Sequence, residues 1–85
     1  MVKYGQLIVK ILRGASNTNI DFEELCSLLR WLGFDERIRG SHHIFTRDNM
    51  VEMINLQPKG RFAKPYQVKQ IREILITFRL GGKDE

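Results

Sequence analysis

The chain of 85 residues carries a net charge of +4, and 42% of its residues are hydrophobic, which is the composition of a globular rather than a disordered protein. A chain of this length makes one domain, and none of its apolar runs approaches the ~18 residues that a membrane span needs. Residues 1–14 show no secretory signal, and the lone cysteine, Cys26, excludes an internal disulfide and suits a reducing compartment. We therefore expect a cytoplasmic protein that does not associate with membranes.

Apolar residues recur at helical spacing in the first third of the chain. Residues 3–13 are predicted to form an amphipathic helix on the pattern Tyr4, Ile8, Ile11 and Leu12. A polar connector, residues 14–19, separates it from a second helix, which begins at Asp21 and is stopped by Gly33. The core face of this second helix consists of Phe22, Leu25, Leu29 and Leu32, with Cys26, Leu28 and Trp31 as further packing residues.

The apolar period then changes from 3.6 towards 2, which is typical of strands. Residues 34–39, 42–47 and 51–56 are predicted to form a three-stranded antiparallel meander, with turns at 40–41 and 47–50. Residues 57–64 are interpreted as a basic loop. Pro65 then begins a last helix, which ends at Gly81-Gly82 and has the core face Val68, Ile71, Leu75 and Phe78.

The expected fold is therefore α+β, in the order ααβββα, with the helices on one face of a three-stranded antiparallel sheet. No repeat or linker indicates a second domain, so one domain is expected over residues 1–85. Within it, residues 1–20 are an extra helix and connector, residues 21–79 are the core unit, and residues 80–85 are a frayed tail. The face of the sheet away from the helices is left open, and a functional site is expected there.

Strand alternation assigns the two adjacent histidines to opposite faces. His43 and Phe45 share one side of the second strand, and His42 and Ile44 share the other. If Phe45 packs under the helices, His43 lies in or beside the core and His42 faces solvent. This prediction assumes that no bulge interrupts the strand near Gly40, a residue type that often marks one.

Positive charge is concentrated in the half of the chain that contains both histidines. Residues 37–79 carry nine Lys or Arg against three acids, whereas residues 1–36 carry four bases and five acids. A concentrated positive field attracts polyanions, of which RNA and DNA are the commonest. A solvated basic surface without a partner is the alternative, and the charge alone does not decide between them.

The residues around the histidines disfavour two kinds of catalysis and permit a third. Clustered carboxylates for a two-metal nuclease are missing, and His42 and His43 point apart, so no metal and no cofactor is expected. Ser41 lacks a base oriented by a third group and is a poor nucleophile. RNA cleavage needs less, because the ribose 2′-hydroxyl is the nucleophile. One histidine can transfer the proton, and Lys or Arg can stabilise the phosphate charge.

The segments FEELCSLLRWLGF, RGSHHIF, INLQP and AKPYQVKQIREIL, in this order, resemble the HicA toxins of bacterial HicA–HicB toxin–antitoxin pairs. The resemblance covers residues 21 to about 75 and rests most on the Gly-Ser-His run followed two residues later by Phe. It implies a fold like the double-stranded-RNA-binding domain, mRNA cleavage, and neutralisation by a HicB-like antitoxin. Short HicA toxins often carry a second histidine where this sequence has residues 55–57, which is a departure from the family pattern.

Carried over residue by residue, the resemblance places the catalytic histidine on His42 and the basic residue before the last helix on Lys64. Gly40 and Ser41 match the motif as backbone and hydroxyl supports. We expect three further basic residues to steer the RNA strand, namely Arg39, Lys59 and Arg61. A non-catalytic RNA-binding module of the same fold is the alternative. A third possibility is an interaction protein that contacts operator DNA only through its complex with the antitoxin.

Overall fold

The computed structural model describes residues 4–14, 19–48 and 53–78. Its helices are α1 (Gly5–Arg13), α2 (Phe22–Trp31) and α3 (Pro65–Phe78). Its strands are β1 (Asp35–Arg39), β2 (His42–Thr46), β3 (Ile54–Leu56), β4 (Pro58–Lys59) and β5 (Phe62–Ala63). The predicted α+β order ααβββα is confirmed, with a small β4–β5 hairpin inserted before α3. No helix in the described ranges is long and apolar enough to cross a membrane.

Helix α2 has sequence-encoded ends. The Asp21 carboxylate accepts a hydrogen bond from the backbone N–H of Glu24 at 3.1 Å, which satisfies one of the free donors in the first turn. The chain leaves the helix through Gly33, whose φ of 99° lies where side chains other than hydrogen are disfavoured. Both ends therefore lie close to where the sequence predicts them, and α2 delivers the chain directly into β1.

The three main strands form an antiparallel sheet in the order β1-β2-β3. Arg39 pairs with His42, so the hairpin turn consists of only Gly40 and Ser41, and Gly40 adopts a φ of 59°. A glycine with positive φ at the first central position matches the twist of a two-residue hairpin. The register runs without a bulge from Asp35–Thr46 to Arg39–His42, as the alternation argument requires.

The strands are shorter than the sequence suggests. β1 begins at Asp35 rather than residue 34, and β2 ends at Thr46 rather than residue 47. β3 covers Ile54–Leu56, while residues 49–52 of the predicted turn and third strand lie outside the described residues. Phe34 and Ile38 were both expected on one face, but only Phe34 is buried. Ile38 is 59% exposed because it lies on the outer strand of the sheet.

The core lies between the helices and the face of the sheet that carries Phe45. Phe45, Ile54 and Leu56 project from the sheet into this core and are fully buried. The predicted residues Val68, Ile71 and Leu75 of α3 are buried, and the side chain of Phe78 lies outside the described residues. Cys26 is also buried, as expected. The core therefore leaves the opposite face of the sheet open.

Helix α1 packs against α3, where Ile8 and Ile11 join the common core. The guanidinium Nε of Arg72 donates a hydrogen bond to the backbone carbonyl of Ile11 at 2.7 Å, which ties the two helices together. Leu12 was expected on the same face but is 39% exposed, because α1 covers α3 along one narrow stripe.

The segment 57–64 is a β-hairpin and not the loop predicted from its basic composition. Pro58 pairs with Ala63, and Lys59 pairs with Phe62 around a turn at Gly60, whose φ is 64°. Two backbone hydrogen bonds hold the hairpin against the start of α2 and the segment before it. The Phe22 N–H donates to the Arg61 carbonyl, and the Ala63 N–H donates to the Ile20 carbonyl. Strands of two residues are too short to show alternation, which explains why the sequence pattern missed them.

Candidate functional site

The open face of the sheet presents side chains from all three strands in a regular grid. Register places Arg39 beside His42, and Ile44 between Arg37 and Asn55. Side chains of directly paired residues share one face of a sheet, so these five residues project to the same side. None of the ion pairs among the described residues involves Arg37 or Arg39. The exposed histidine therefore shares the open face with two guanidinium groups that form no ion pair within the described part of the chain.

His42 is oriented by a side-chain amide. Its Nδ1 lies 3.1 Å from Oδ1 of Asn55, which is on β3 and thirteen residues further along the chain. An amide oxygen only accepts, so the Nδ1–H of His42 donates this hydrogen bond. In the neutral ring the proton is then on Nδ1, and Nε2 keeps a free lone pair for accepting a proton. The exposed ring is thereby held in the tautomer whose Nε2 can accept a proton.

A second polar chain joins Ser41 to Lys64 through Gln57. The Nε2 of Gln57 donates to the Ser41 hydroxyl at 3.0 Å, and the ammonium of Lys64 donates to Oε1 of Gln57 at 3.2 Å. Gln57 follows β3 directly, and continuation of the β2–β3 register brings it beside His42. The motif serine, the motif histidine and the basic residue before α3 are thus gathered at one end of the open face.

Gln57 is itself fixed by a buried amide on α3. Gln67 is 1% exposed, and with its amide oriented so that the nitrogen faces the Gln57 carbonyl it makes two hydrogen bonds to the backbone of Gln57. Its nitrogen donates to the Gln57 carbonyl at 3.2 Å, and its oxygen accepts from the Gln57 N–H at 3.0 Å. The amide thus satisfies both the N–H and the carbonyl of one residue, as a neighbouring strand does in a sheet. The position of Gln57, and with it the Ser41–Lys64 connection, depends on this amide.

Two residues expected to steer RNA lie elsewhere, on the β4–β5 hairpin. Arg61 is 3.7 Å from the carboxylate of Asp21 and covers the ring of Phe62. Lys59 lines a small cavity together with Asn19 and Phe62, near the start of α2. No hydrogen bond or ion pair among the described residues connects either side chain to His42. A role for Arg61 and Lys59 in binding RNA stays a prediction.

His43 belongs to a different environment on the inner face. Its side chain is 16% exposed, its Nδ1 lies 2.7 Å from Oε2 of Glu36, and its ring meets Phe22 edge-on at 4.9 Å. The other oxygen of Glu36 accepts from Nε of Arg30 at 2.6 Å. The opposite placement of His42 and His43, predicted from alternation, is confirmed. His43 serves packing and ion pairing at the margin of the core.

Cys26, Glu36 and His43 bring one sulfur, one oxygen and one nitrogen within 4.8 Å of one another, which is a possible metal-ligand set. The surroundings favour a hydrogen-bonded network instead. Burial raises the pKa of the Cys26 thiol to about 12, so it keeps its proton at neutral pH. Both oxygens of Glu36 already accept from Arg30 and His43. The cluster also lies on the face of the sheet opposite His42.

The Glu36 network predicts acid sensitivity. The hydrogen bond from Arg30, followed by that from His43, lowers the pKa of the Glu36 carboxyl below its ordinary value. A depressed acid stabilises the fold above its unfolded pKa, and this contribution is lost as the pH falls through the folded pKa. We expect the melting temperature of the wild-type protein to fall between pH ~5 and ~3 more steeply than that of Glu36→Gln.

The control for this measurement is Glu73→Gln, which removes an exposed carboxylate from α3, a helix that contributes no residue to the network. It should follow the wild-type curve. Parallel melting curves for wild type and Glu36→Gln across this pH range would contradict the assignment.

Asn55, Gln57 and Gln67 are the site residues that the sequence interpretation missed. The resemblance to HicA toxins showed only that residues 55–57 lack the second histidine that short members of the family often carry. One signal was available: Asn55 shares the open face with His42 if the three strands pair in register. Gln67 offers a weaker signal, as a polar residue beside the apolar Val68 at a position that turns out to be buried.

The chain that carries this basic face and its oriented histidine matches a known protein family. Residues 22–76, from the first residue of α2 almost to the end of α3, match the family model described as HicA toxin of bacterial toxin-antitoxin. This match defines the chain as a toxin of a bacterial toxin–antitoxin system, a family that implies a HicB-like antitoxin as the partner. The chain belongs to the HicA toxin family. Comparisons with curated proteins and with solved structures gave no match.

Proposed function

We propose that this HicA-family protein is an endoribonuclease that cleaves mRNA without a metal ion, with His42 as general acid and base. The observation that carries the proposal is the hydrogen bond from His42 Nδ1 to Asn55, which leaves Nε2 of an exposed ring available. The neighbouring Arg39 and the Lys64 ammonium supply positive charge at the same end of the sheet. These are the minimum requirements for cleavage that uses the 2′-hydroxyl of the substrate.

In the proposed reaction, Nε2 of His42 removes the proton from the ribose 2′-hydroxyl. The 2′-oxygen attacks the adjacent phosphorus, and the bond to the 5′-oxygen breaks. The leaving oxygen takes up a proton, for which the imidazolium formed in the first step is a source. Lys64 stabilises the additional negative charge on the phosphate, and Ser41 positions a phosphate oxygen through its hydroxyl. Gly40 provides the turn that presents Ser41 and His42 together.

Cleavage in the presence of a chelator tests this proposal. Purified protein should degrade single-stranded RNA in EDTA as fast as it does with Mg²⁺, because every group in the proposed reaction is a side chain or the substrate itself. The readout is the loss of full-length RNA over time, with His42→Ala as the control for contaminating nucleases. Activity that disappears on chelation and returns with a divalent ion would refute the mechanism.

A non-catalytic RNA-binding module of the same fold is the second candidate, and the same basic face favours it. The chelator experiment separates the two, because a binding module leaves the RNA intact while still shifting its mobility. Repression of an operator through the antitoxin complex is compatible with either. In all cases a HicB-like antitoxin that covers the His42 face would neutralise the protein, with acidic or polar groups opposite its arginines.

Lys64 provides a second prediction for the site. Lys64→Ala should weaken both RNA binding and cleavage, because the ammonium lies at the end of the chain through Gln57 to Ser41. The slope of log affinity against log salt should fall by about 0.7 for one lost single-strand phosphate contact. Lys69→Ala, which removes an exposed ammonium from α3, is the matched control. If Lys64→Ala keeps the wild-type slope and rate, Lys64 does not contact the substrate.

A further inference from the structure

The open face of the sheet contains a groove that leads away from His42. It has a volume of about 420 Å³ and is lined by Arg37, Arg39, Ile44, Thr46 and Met53. Arg39 at one end is the register partner of His42, so the groove begins beside the proposed catalytic ring. The groove therefore extends the site along the strands by two further rows of side chains.

The groove combines positive charge with apolar surface, a combination that suits a nucleic-acid strand. Arg37 and Arg39 stand two residues apart on β1, which separates their backbones by about 6.7 Å along the strand. Between them and β3 the groove is floored by apolar groups, namely Ile44 and the side chain of Met53, which is 58% exposed. Positive groups at regular spacing suit successive phosphates, and an apolar floor suits the flat face of a base.

From this arrangement we infer that the groove binds the first nucleotide beyond the two that the cleaved bond joins, in single-stranded RNA. Arg37 contacts the neighbouring phosphate, while Ile44 and Met53 contact the unpaired base. This inference rests on the proposed function, because it takes His42 as the position of the cleaved bond. A base inside an A-form duplex is stacked on both faces and offers only its edges to a protein. The apolar floor therefore selects unpaired over paired RNA.

The charge distribution of the open face favours an anionic strand over a neutral or cationic ligand. Asp35 is the acid that shares the open face within the described ranges, and it lies in the row furthest from His42, opposite Thr46. The two rows nearest His42 contain Arg39 and Arg37 and no acid. The positive potential is thus highest at the catalytic end. Because both guanidinium groups project from β1, they orient a bound strand with its phosphates towards β1.

The test compares two substrates, of which only the longer one extends into the groove. One is a dinucleoside monophosphate, which contains the cleaved bond and nothing beyond it. The other is a ten-nucleotide 2′-O-methyl RNA with a single ribonucleotide, so that one bond is cleavable. We expect Arg37→Ala to lower kcat/KM for the long substrate about tenfold through loss of a charged phosphate contact. Cleavage of the dinucleoside should stay at the wild-type rate.

Two further variants complete the experiment. Ile44→Thr keeps a branched strand residue but removes apolar surface, and should lower kcat/KM for the long substrate about threefold to tenfold. Arg13→Ala removes an exposed arginine from α1, whose main packing partner is α3. It should cleave both substrates as the wild type does, which separates a local contact from the general loss of positive charge.

Three outcomes would overturn the inference. If Arg37→Ala and Ile44→Thr cleave the long substrate like wild type while wild type is active, the groove is not a subsite and the proposed function stands. If a duplex of the same sequence binds as tightly as the single strand, the groove does not select unpaired RNA. If Arg37→Ala weakens only the antitoxin complex, the groove is a protein interface.

If wild type cleaves neither substrate, the proposed function fails. Whether RNA binds in the groove is then tested by affinity alone. Fluorescence anisotropy of the labelled long strand would be measured for wild type and Arg37→Ala. A weaker affinity in the variant supports the groove, and equal affinities reject it.

Discussion

Replacing His42 by alanine is expected to lower the rate of RNA cleavage by at least ~10²-fold, because general acid–base catalysis is worth about 10²–10⁴-fold. The affinity for RNA and the melting temperature should stay near wild type, since the ring is exposed and its one protein partner in the described part of the chain is the Asn55 amide. The measurement pairs a cleavage rate with a melting curve for each variant.

His43→Ala is the matched control, one residue away on the same strand. It should keep most of the cleavage activity per folded molecule and lower the free energy of unfolding by about 1–3 kcal/mol. The reason is that His43 packs on Phe22 and binds Glu36 at the margin of the core. The reverse result, a stable but inactive His43→Ala and an active His42→Ala, would move the catalytic assignment to the inner face.

Replacing Gln67 by leucine is expected to lower the free energy of unfolding by about 2–4 kcal/mol. The substitution keeps a side chain of similar size but leaves the backbone N–H and carbonyl of Gln57 without their partners, and each such group costs about 1–3 kcal/mol. Cleavage should also fall in the fraction that remains folded, because Gln57 no longer holds Ser41 and Lys64 together. Denaturant unfolding and a cleavage rate below the unfolding midpoint measure both effects.

Gln70→Leu is the corresponding control on the same helix. Its side chain makes no hydrogen bond or ion pair to the described residues and is only partly buried, so a change within ~0.5 kcal/mol is expected. Equal stabilities for Gln67→Leu and Gln70→Leu would show that the buried amide does not brace Gln57.

The hairpin that carries both histidines was predictable because its geometry is local. Gly40-Ser41 closes β1 onto β2 with no extra residue, so period-2 alternation continues through the turn and assigns each histidine its face. The helices were predictable for a similar reason, since their apolar stripes and ends depend on neighbours three or four residues away. Ile38 shows the limit: alternation gives its face but not that its strand lies at the edge of the sheet.

The polar contacts of the site were not predictable, because each joins residues far apart in the chain. His42 meets Asn55 across thirteen residues, and Ser41 meets Gln57 across sixteen. An amide side chain has no periodic signature, and its partner is decided only when β3 and α3 are in place. The hairpin within the basic segment 57–64 was not predictable for the same reason, since its backbone hydrogen bonds join it to the distant residues Ile20 and Phe22.

The outer position of β1 has a consequence for how copies of this protein behave at high concentration. An outermost strand leaves a row of backbone donors and acceptors that another chain can extend into a continuous sheet. Here four of the five residues of that strand are charged, and one of them, Glu36, points inward. Adding a strand from a second molecule would strip water from these charges, a cost that counteracts aggregation through this edge.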